Sequence, residues 1–234
     1  MIDFIKRYQW WLFAVILLGC FIAYYERWRG YRENSQDPVI LAAAERYGVN
    51  PALIKAIVWR ESWFNPKAKG RSGEIGLMQV RKEAAEEWAA AERISLFTHS
   101  QLFDPGKNTR AGTWYFRKQL LRFRHTDNAV PYALAAYNAG AAQVQRWAKG
   151  AAATNSSAFI RQIAYSGTRS YVEAVVKRSV RYQKAFRQKN RAGSSLPCGQ
   201  SYAAREFQRR GDAETGASTT RKPTSPLRIV GELQ

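Results

Sequence analysis

A single glutamate at the end of an apolar stripe is the residue best suited to acid catalysis. Leu53, Ile54, Ile57 and Val58 recur at helical spacing in NPALIKAIVWRESWFNP, and Glu61 follows Ile57 by four residues. Glu61 therefore shares the buried face of that predicted helix. Burial disfavours the charged carboxylate and raises its pKa. A carboxylic acid still protonated near neutral pH can act as a general acid, for instance on a glycosidic bond.

The same pattern has a purely structural interpretation, in which Glu61 ends the helix in an ion pair with an arginine. On the same helix, Lys55 and Arg60 are predicted to point away from the apolar face. Two further carboxylates are available nearby in the chain. Glu74 follows glycines and lysines in a predicted loop and Asp104 lies in a turn, so both are expected to be solvated surface charges.

The elements that must position Glu61 are predicted to be helices. Asp37-Pro38 and Asn50-Pro51 each combine a capping residue with a proline suited to the first turn, and Gly48 ends the first of these helices. Period-two alternation is absent from the sequence, so the fold is predicted to be mainly α. The predicted helices cover residues 37–47, 51–63, 77–94, 106–124, 131–137, 141–148, 156–164 and 168–187.

An uncharged stretch over residues 8–25, YQWWLFAVILLGCFIAYY, precedes these helices. As a helix it would be about 27 Å long, close to the ~30 Å hydrocarbon core of a bilayer, and its ends carry interfacial aromatic residues. We predict a transmembrane anchor here, after a short segment 1–7 and before a polar linker 26–36. The alternative is a lipoprotein signal with acylation at Cys20. Flanking basic residues do not fix the orientation.

The charge of +19 implies a polyanionic partner: nucleic acid, anionic lipid or a bacterial wall rich in carboxylates. Residues 189–234 are rich in Ser, Thr, Gly, Pro and Arg and are predicted to form a disordered basic tail. A disulfide between Cys20 and Cys198 is not expected, and two cysteines with two scattered histidines form no zinc signature. We therefore predict no metal and no cofactor.

Five segments, in order over residues 38–187, resemble the transglycosylase domain of the soluble lytic transglycosylases, within the lysozyme-like superfamily. Each segment alone is modest support, and their common order makes a chance match remote. They are ES and NP within 61–66, GLMQ at 76–79, LFDP with Asn108, Gly112 and Tyr115 in 102–115, AAYNAG at 135–140, and TRSYV at 168–172.

The resemblance implies a lysozyme-like, multi-helix domain over residues 37–188 that cuts peptidoglycan glycan strands without a cofactor. In that family one glutamate, here Glu61, acts as general acid and base, and the muramic acid's own C6 hydroxyl attacks to leave a 1,6-anhydro end. The resemblance places a tyrosine, here Tyr137, near the catalytic carboxyl. The residues it assigns to substrate binding are Ser62, Met78, Gln79, Tyr137, Asn138 and Tyr171.

Three positions depart from the family pattern. Gly70 stands where the family often has Ser, Ala or Thr, Arg81 begins a basic pair in place of Met-Pro, and Gly167 replaces a glutamate. The contacts to peptide stems and neighbouring subsites are therefore the least certain part of the resemblance. Basic residues of this region are hypothesised to attract stem carboxylates instead: Lys67, Lys69, Arg71, Arg81 and Lys82.

Other functions remain open at this point. A goose-type muramidase shares the lone glutamate and the fold but uses water as nucleophile, and a non-catalytic wall-binding scaffold would keep only the cleft. A nucleic-acid binder is disfavoured because the sequence has no basic stripe interleaved with aromatic residues. The expected partners are glycan strands and the bacterial membrane. We expect a monomer in the cell envelope, with its domain on the periplasmic or outer face.

Overall fold

The computed structural model describes the backbone of residues 2–194 and the side chains of residues 8–189, and the fold there is mainly α as predicted. Short 3-10 turns at His99–Phe103 and Gly150–Ala153 join some of the helices. The helices of this described part are α1 (Ile2–Asn34), α2 (Asp37–Tyr47), α3 (Pro51–Ser62), α4 (Lys82–Ala91), α5 (Pro105–Arg122), α6 (Ala129–Ala139), α7 (Ala141–Trp147), α8 (Ser156–Gln162) and α9 (Ser166–Ser194).

The helical bounds correct the sequence analysis in three places. The linker predicted for residues 26–36 is mostly helical, since α1 continues to Asn34. Helix α4 begins at Lys82 and not at residue 77, because the preceding segment is fixed in a loop by side-chain hydrogen bonds. Helix α9 extends six residues beyond the predicted domain end at 188. The rest of the predicted tail, with Cys198, lies outside the described residues.

Helix α1 carries the predicted membrane span. Its large apolar side chains between residues 8 and 25 are exposed, unlike those of a core helix. Within the described residues, one helical stretch, which begins at Tyr8, is long and apolar enough to cross a membrane, by length and composition alone. The aromatic pair Tyr25 and Trp28, with ring centroids 6.1 Å apart, lies where the uncharged residues 8–25 end.

The core of the domain forms around α3 and α6, whose apolar residues are almost all buried. Helix α9 packs along α3, and α5 packs against both α2 and α6. Local sequence sets the start of α3: the Asn50 side chain accepts a hydrogen bond from the Ala52 amide at 2.9 Å, and Pro51 occupies the first turn. The helix ends at Trp63, a left-handed residue with φ of 53°.

The start of α2 differs from the prediction. Asp37 is not the capping residue: Gln36 precedes the helix and makes no side-chain cap, while the Asp37 carboxylate is buried. It accepts hydrogen bonds from Lys55 at 2.5 Å and from Lys189 at 2.9 Å. Lys55 is only 3% exposed, so the prediction that it points away from the core was wrong. The buried pair ties α2 to α3 and α9.

Candidate active site

Glu61 lies in the last turn of α3 and opens onto a cleft of about 320 Å³. Helix α6 forms the opposite wall with Tyr137 and Asn138, and the loop before α4 contributes Gln79. Tyr115 of α5 lies at the base, where its ring centroid is 5.8 Å from that of Tyr137. Three of the predicted substrate-binding residues, those of α6 and the loop, are therefore brought together with Glu61.

The carboxyl of Glu61 is a weak acid in this setting. Burial raises its pKa from the ordinary 4.5 to about 7, the largest of the effects on this group. The Tyr171 hydroxyl donates a hydrogen bond to Oε1 at 2.7 Å, which acts to lower the pKa, as does the charge of Arg60. Because Tyr171 occupies Oε1, the other oxygen is left to carry the proton toward the cleft.

The loop between α3 and α4 is built from left-handed residues and from one buried amide. Gly76 has a φ of 79°, and a Cβ there would lie 2.6 Å from the Leu102 carbonyl and 2.1 Å from the Asn108 amide, so only glycine fits. Asn108 is fully buried and accepts from the Met78 amide at 2.8 Å while donating to the Ile75 and Leu102 carbonyls, both at 2.9 Å. This side chain locks the GLMQ segment in place.

Gln79 is the only residue of the GLMQ segment whose side chain reaches the cleft wall. Its backbone is left-handed, with φ of 46°, a strained conformation for a residue with a side chain. The Nε2 group donates to the Gly76 carbonyl at 2.9 Å and the Ala68 carbonyl at 3.3 Å. With Nε2 held by the loop, Oε1 is the atom that can accept a hydrogen bond from a ligand.

The hydroxyls of the two predicted tyrosines have different partners. The Tyr137 hydroxyl donates to the Met78 carbonyl at 2.8 Å, and this hydrogen bond ties α6 to the loop. Tyr137 lies near the acid as predicted and lines the same cleft, but the hydrogen bond to Glu61 comes from Tyr171 of α9. Tyr171 is 3% exposed and does not line the cleft, so it is placed to position Glu61 and not to touch substrate.

Two other predicted substrate contacts are corrected by the structure. Met78 is fully buried and packs against Gly112, where a Cβ would lie only 2.6 Å from the Met78 sulfur. Ser62 donates its hydroxyl to the Leu77 carbonyl at 2.7 Å, again joining α3 to the loop. Neither residue lines the cleft. Both stabilise the loop that carries Gln79.

A second carboxylate, Glu74, lines the same cleft, contrary to its predicted place as a solvated charge. Its Oε1 accepts from the Arg81 guanidinium at 3.1 and 3.2 Å, and Oε2 accepts from the Ser72 amide at 3.0 Å. Burial alone would raise the pKa of Glu74, but the amides and Arg81 bring it below the ordinary value. A Cβ at Gly70 would lie 2.3 Å from Oε2, which accounts for glycine at that departure.

The last departure, Gly167, precedes Thr168, which contacts the cleft residue Asn138. The Thr168 hydroxyl donates to Asn138 Oδ1 at 2.9 Å, so the Asn138 amide nitrogen is left to donate toward a ligand. A Cβ at Gly167 would meet no atom within 4 Å. A side chain at this position would therefore fit without a clash.

Sequence reasoning passed over three residues of this site. Tyr115 and Asn108 belong to the 102–115 segment and were named only as part of the resemblance, although a polar Asn108 on the buried face of α5 is itself a signal. Glu74 gave no local signal, because its place in the cleft depends on the fold of the loop around Gly70 and Gly73.

Comparison with known proteins agrees with this geometry. The sequence model for the transglycosylase SLT domain matches residues 38–160, slightly more than half of the 234 residues. Membrane-bound lytic murein transglycosylase C of Pectobacterium atrosepticum is 38% identical over 121 residues, a match covering 49% of this chain and 34% of that protein. The chain thus spans about a third of the length of such curated relatives.

Solved structures with the same fold include an inactive glutamate-to-glutamine variant of lytic transglycosylase Slt from Pseudomonas aeruginosa, with TM-score 0.59 and 30% identity over 64% of this chain and 24% of that one. The 70 kDa soluble lytic transglycosylase of Escherichia coli has TM-score 0.56 and 30% identity over 62% and 24%. These likenesses confirm the predicted fold class. On the extent of the domain match, the chain belongs to the transglycosylase SLT domain family.

Proposed function

We propose that this chain is a peptidoglycan lytic transglycosylase that cuts the MurNAc–GlcNAc β-1,4 bond, with Glu61 as its general acid and base. The observation that carries the proposal is the Glu61 carboxyl itself, open to a cleft, with a pKa raised to about 7 by burial and one oxygen held by Tyr171. Relatives named lytic murein transglycosylases support it. A general acid is most effective when its pKa lies near the working pH.

In the first step Glu61 donates its proton to the glycosidic oxygen. The bond from that oxygen to C1 of the muramic acid breaks, and its electron pair stays on the leaving oxygen. Positive charge develops at C1 and the ring oxygen. Glu61 is now an anion, and the Tyr171 hydroxyl at 2.7 Å stabilises that anion by donating to Oε1.

In the second step the same carboxylate acts as base. It accepts the proton of the muramic acid's C6 hydroxyl while O6 forms its bond to C1, which closes the 1,6-anhydro ring. Glu61 ends the cycle protonated, and no water enters the product. An internal nucleophile removes the need for the second carboxylate that most glycosidases require.

Substrate binding is assigned to three cleft residues, two of which keep a polar atom available. Gln79 accepts through Oε1 and Asn138 donates through its amide nitrogen, which suits the hydroxyl and acetamido groups of the sugars. Tyr137 forms the wall between them, with its hydroxyl already bound to the Met78 carbonyl. Arg81 is paired with Glu74 and Lys82 with Glu86. The hypothesis that basic residues attract the carboxylates of the peptide stems is therefore kept for Lys67, Lys69 and Arg71.

A hydrolytic muramidase is the alternative, and Glu74 is the observation in its favour, because a second cleft carboxylate can orient a water molecule. Both oxygens of Glu74 already accept hydrogen bonds from Ser72 and Arg81. Its lowered pKa also makes it a weak base. We therefore prefer the lytic reaction.

We also propose that α1 anchors the enzyme in a bacterial membrane, with the domain on the periplasmic or outer face where peptidoglycan lies. The exposed apolar surface of residues 8–25 and the membrane-bound relatives support this. Intact mass separates the two forms of anchor. An unprocessed chain retains residues 1–19, whereas acylation at Cys20 would remove them and add lipid. Labelling of an engineered single cysteine in α9 from outside intact spheroplasts tests the orientation.

The test of the reaction is mass spectrometry of products released from purified peptidoglycan by the full chain in detergent, with Glu61→Gln as control. We expect anhydro-muropeptides from the native chain, and a loss of at least about a hundredfold in Glu61→Gln. Reducing-end products that depend on Glu61 would replace the proposal with the hydrolytic alternative. Glycan binding without release by either form would favour the non-catalytic scaffold.

A further inference from the structure

A second, smaller cavity lies on the other side of α3 from Glu61. Its volume is about 70 Å³, and it is enclosed by the end of α1, by α3 and by α9. Trp59 and Glu61 are two residues apart, which turns their side chains about 200° from each other around the helix axis. The lining residues are Arg29, Glu33, Trp59, Trp63, Phe64, Arg178 and Arg181.

Positive charge exceeds negative charge around this cavity. Three arginines line it against one carboxylate, Glu33, which lies 3.8 Å from Arg178. The Arg178 guanidinium also stacks 4.1 Å over the Trp59 ring. Arg181 is exposed and has no carboxylate within ion-pair distance among the described residues. Arginine on an aromatic surface keeps its donors available for an oxygen-rich anion.

Trp59, which lines the cavity, has a donor without an acceptor. The Trp59 indole N–H is buried and has no hydrogen-bond acceptor in the described part of the chain. Unsatisfied buried donors are rare in folded proteins. The nitrogen has almost no surface open to the cavity, so Trp59 contributes to the site through its ring, on which the Arg178 guanidinium stacks.

The position of the cavity along α1 indicates which anion it can bind. Helix α1 is continuous from residue 8 to Asn34, so Arg29 lies about 6 Å beyond Tyr25, at 1.5 Å per residue. Each headgroup layer of a bilayer is roughly 5–8 Å thick. If residues 8–25 span the hydrocarbon, Arg29 is at the depth of the lipid phosphates.

Side chains at the end of α1 pack against the domain beside this cavity. The Trp28 ring stacks on Trp63 with centroids 6.3 Å apart, and the Arg32 guanidinium lies 5.4 and 5.5 Å from these two rings. Asn34 accepts from Lys55 at 3.0 Å and from Lys189 at 3.1 Å. The domain is therefore fixed to the juxtamembrane end of α1, and the cavity faces the same layer as Arg29.

We propose that this cavity binds the phosphodiester of an anionic phospholipid in the membrane that α1 spans, with the Arg178 and Arg181 guanidinium groups as donors. The proposal rests on the proposed membrane anchor and is independent of the chemistry at Glu61. A lipid held here would dock the domain on the membrane surface. Trp63 lines the cavity and is two residues from Glu61. A bound lipid would therefore also hold the cleft at a constant height above the membrane.

The test uses the full chain in nanodiscs of phosphatidylglycerol mixed with phosphatidylcholine. Native mass spectrometry counts the lipids that stay bound after the disc is removed. We expect phosphatidylglycerol to be retained in preference, and Arg178→Gln with Arg181→Gln to lower its retention about tenfold or more. The matched control is Lys177→Gln with Lys184→Gln, which removes the same charge from exposed positions of α9 outside the cavity and is expected to retain the lipid.

Trp59→Leu is the second variant, because it removes the aromatic ring on which the Arg178 guanidinium stacks; a several-fold loss of retention is expected. Equal losses in the arginine and lysine pairs would overturn the proposal in favour of unspecific attraction to anionic lipid. Displacement of the lipid by millimolar inorganic phosphate would overturn it in favour of a free-anion site. Alkaline carbonate extraction is done first, and release of the native chain there would refute the anchor instead.

Discussion

Helix α3 carries two titratable side chains that are shielded from water, Lys55 and Glu61, and their partners differ. Lys55, near its start, is 3% exposed and is compensated by the Asp37 carboxylate at 2.5 Å and the Asn34 amide oxygen at 3.0 Å. Among the described residues, no cation forms an ion pair with Glu61, near the end of the helix, and its hydrogen-bond partner is the neutral hydroxyl of Tyr171. Burial favours the neutral form of both groups, but an ion-paired carboxylate opposes it at Lys55, whereas a neutral hydroxyl and the charge of Arg60 oppose it at Glu61. The ion pair therefore distinguishes Lys55, which stabilises the fold, from Glu61, which is proposed to be the catalytic acid.

The largest effect is expected when the pairing of Lys55 is broken. Asp37→Asn leaves two buried or half-buried ammonium groups, Lys55 and Lys189, without their carboxylate. Removal of one partner of a buried ion pair costs about 3–5 kcal/mol. Unfolding of the full chain in detergent should show this loss, while glycan cleavage per folded molecule stays near the native rate.

The control for that experiment is Lys82→Gln, which breaks an ion pair with Glu86 in which both side chains are more than half exposed. A surface pair of this kind contributes less than about 1 kcal/mol. Equal losses of stability in Asp37→Asn and Lys82→Gln would mean that the Lys55 pair does not differ from a surface pair, and the comparison would fail.

Replacing Glu61 is expected to have the opposite effect on the free energy of unfolding and to raise it at neutral and higher pH. Its pKa in the folded chain, about 7, lies above the ordinary 4.5, so the folded state keeps a proton that the unfolded state loses. The free energy of unfolding must then fall as the pH rises between these two values, by about 3 kcal/mol in total. Glu61→Gln has no such group to titrate.

Urea unfolding of native chain and Glu61→Gln should therefore give similar stabilities near pH 4 and a more stable variant near pH 8. Gln is the suitable replacement because it keeps the shape and can still accept from Tyr171. A constant difference between the two proteins across this range would show that Glu61 is not held protonated by the fold, and the proposed acid would lose its main support.

The sequence predicted the part of this contrast that is local. Period and capping residues placed α2, α3 and α5 within one or two residues of their observed bounds, and the apolar stripe put Glu61 on the buried face. The burial of Lys55 was missed because its partners Asp37 and Asn34 lie 18 and 21 residues away in the sequence. A helical pattern describes one element and contains no record of which element packs against it.

The same limit explains the errors within the cleft. Tyr137 and Tyr171 are both buried aromatics with a hydroxyl, and only the packing of α9 on α3 decides that Tyr171 reaches the acid. Glu74 was predicted to be solvated because the loop around Gly70 has no periodicity that would fix its direction. The family resemblance identified the residue types of the site but not their hydrogen bonds.

A smaller effect is expected from Tyr171→Phe, which removes the one donor to Glu61. The Tyr171 hydrogen bond lowers the pKa of Glu61, so its loss should raise that pKa further. The alkaline limb of the pH–rate profile should then move to higher pH, with a rate at the optimum lower by roughly fivefold. Tyr137→Phe is the matched control: its hydroxyl bonds to the Met78 carbonyl, and the limb should not move. An equal shift of the alkaline limb in Tyr171→Phe and in Tyr137→Phe would assign the effect to cleft packing.

The smallest effect, in the opposite direction, is expected from Glu74→Gln. The negative charge of Glu74 raises the pKa of Glu61, as the least of the causes, so its removal should lower that pKa and move the alkaline limb to lower pH. The change in rate should be below about threefold, because the charge acts through space and Arg81 already compensates it. Glu86→Gln removes a charge of the same sign from an exposed position and should leave the limb in place. If Glu74→Gln instead abolished cleavage, Glu74 would be a second catalytic carboxylate, and the chain would have to be assigned to the hydrolytic alternative.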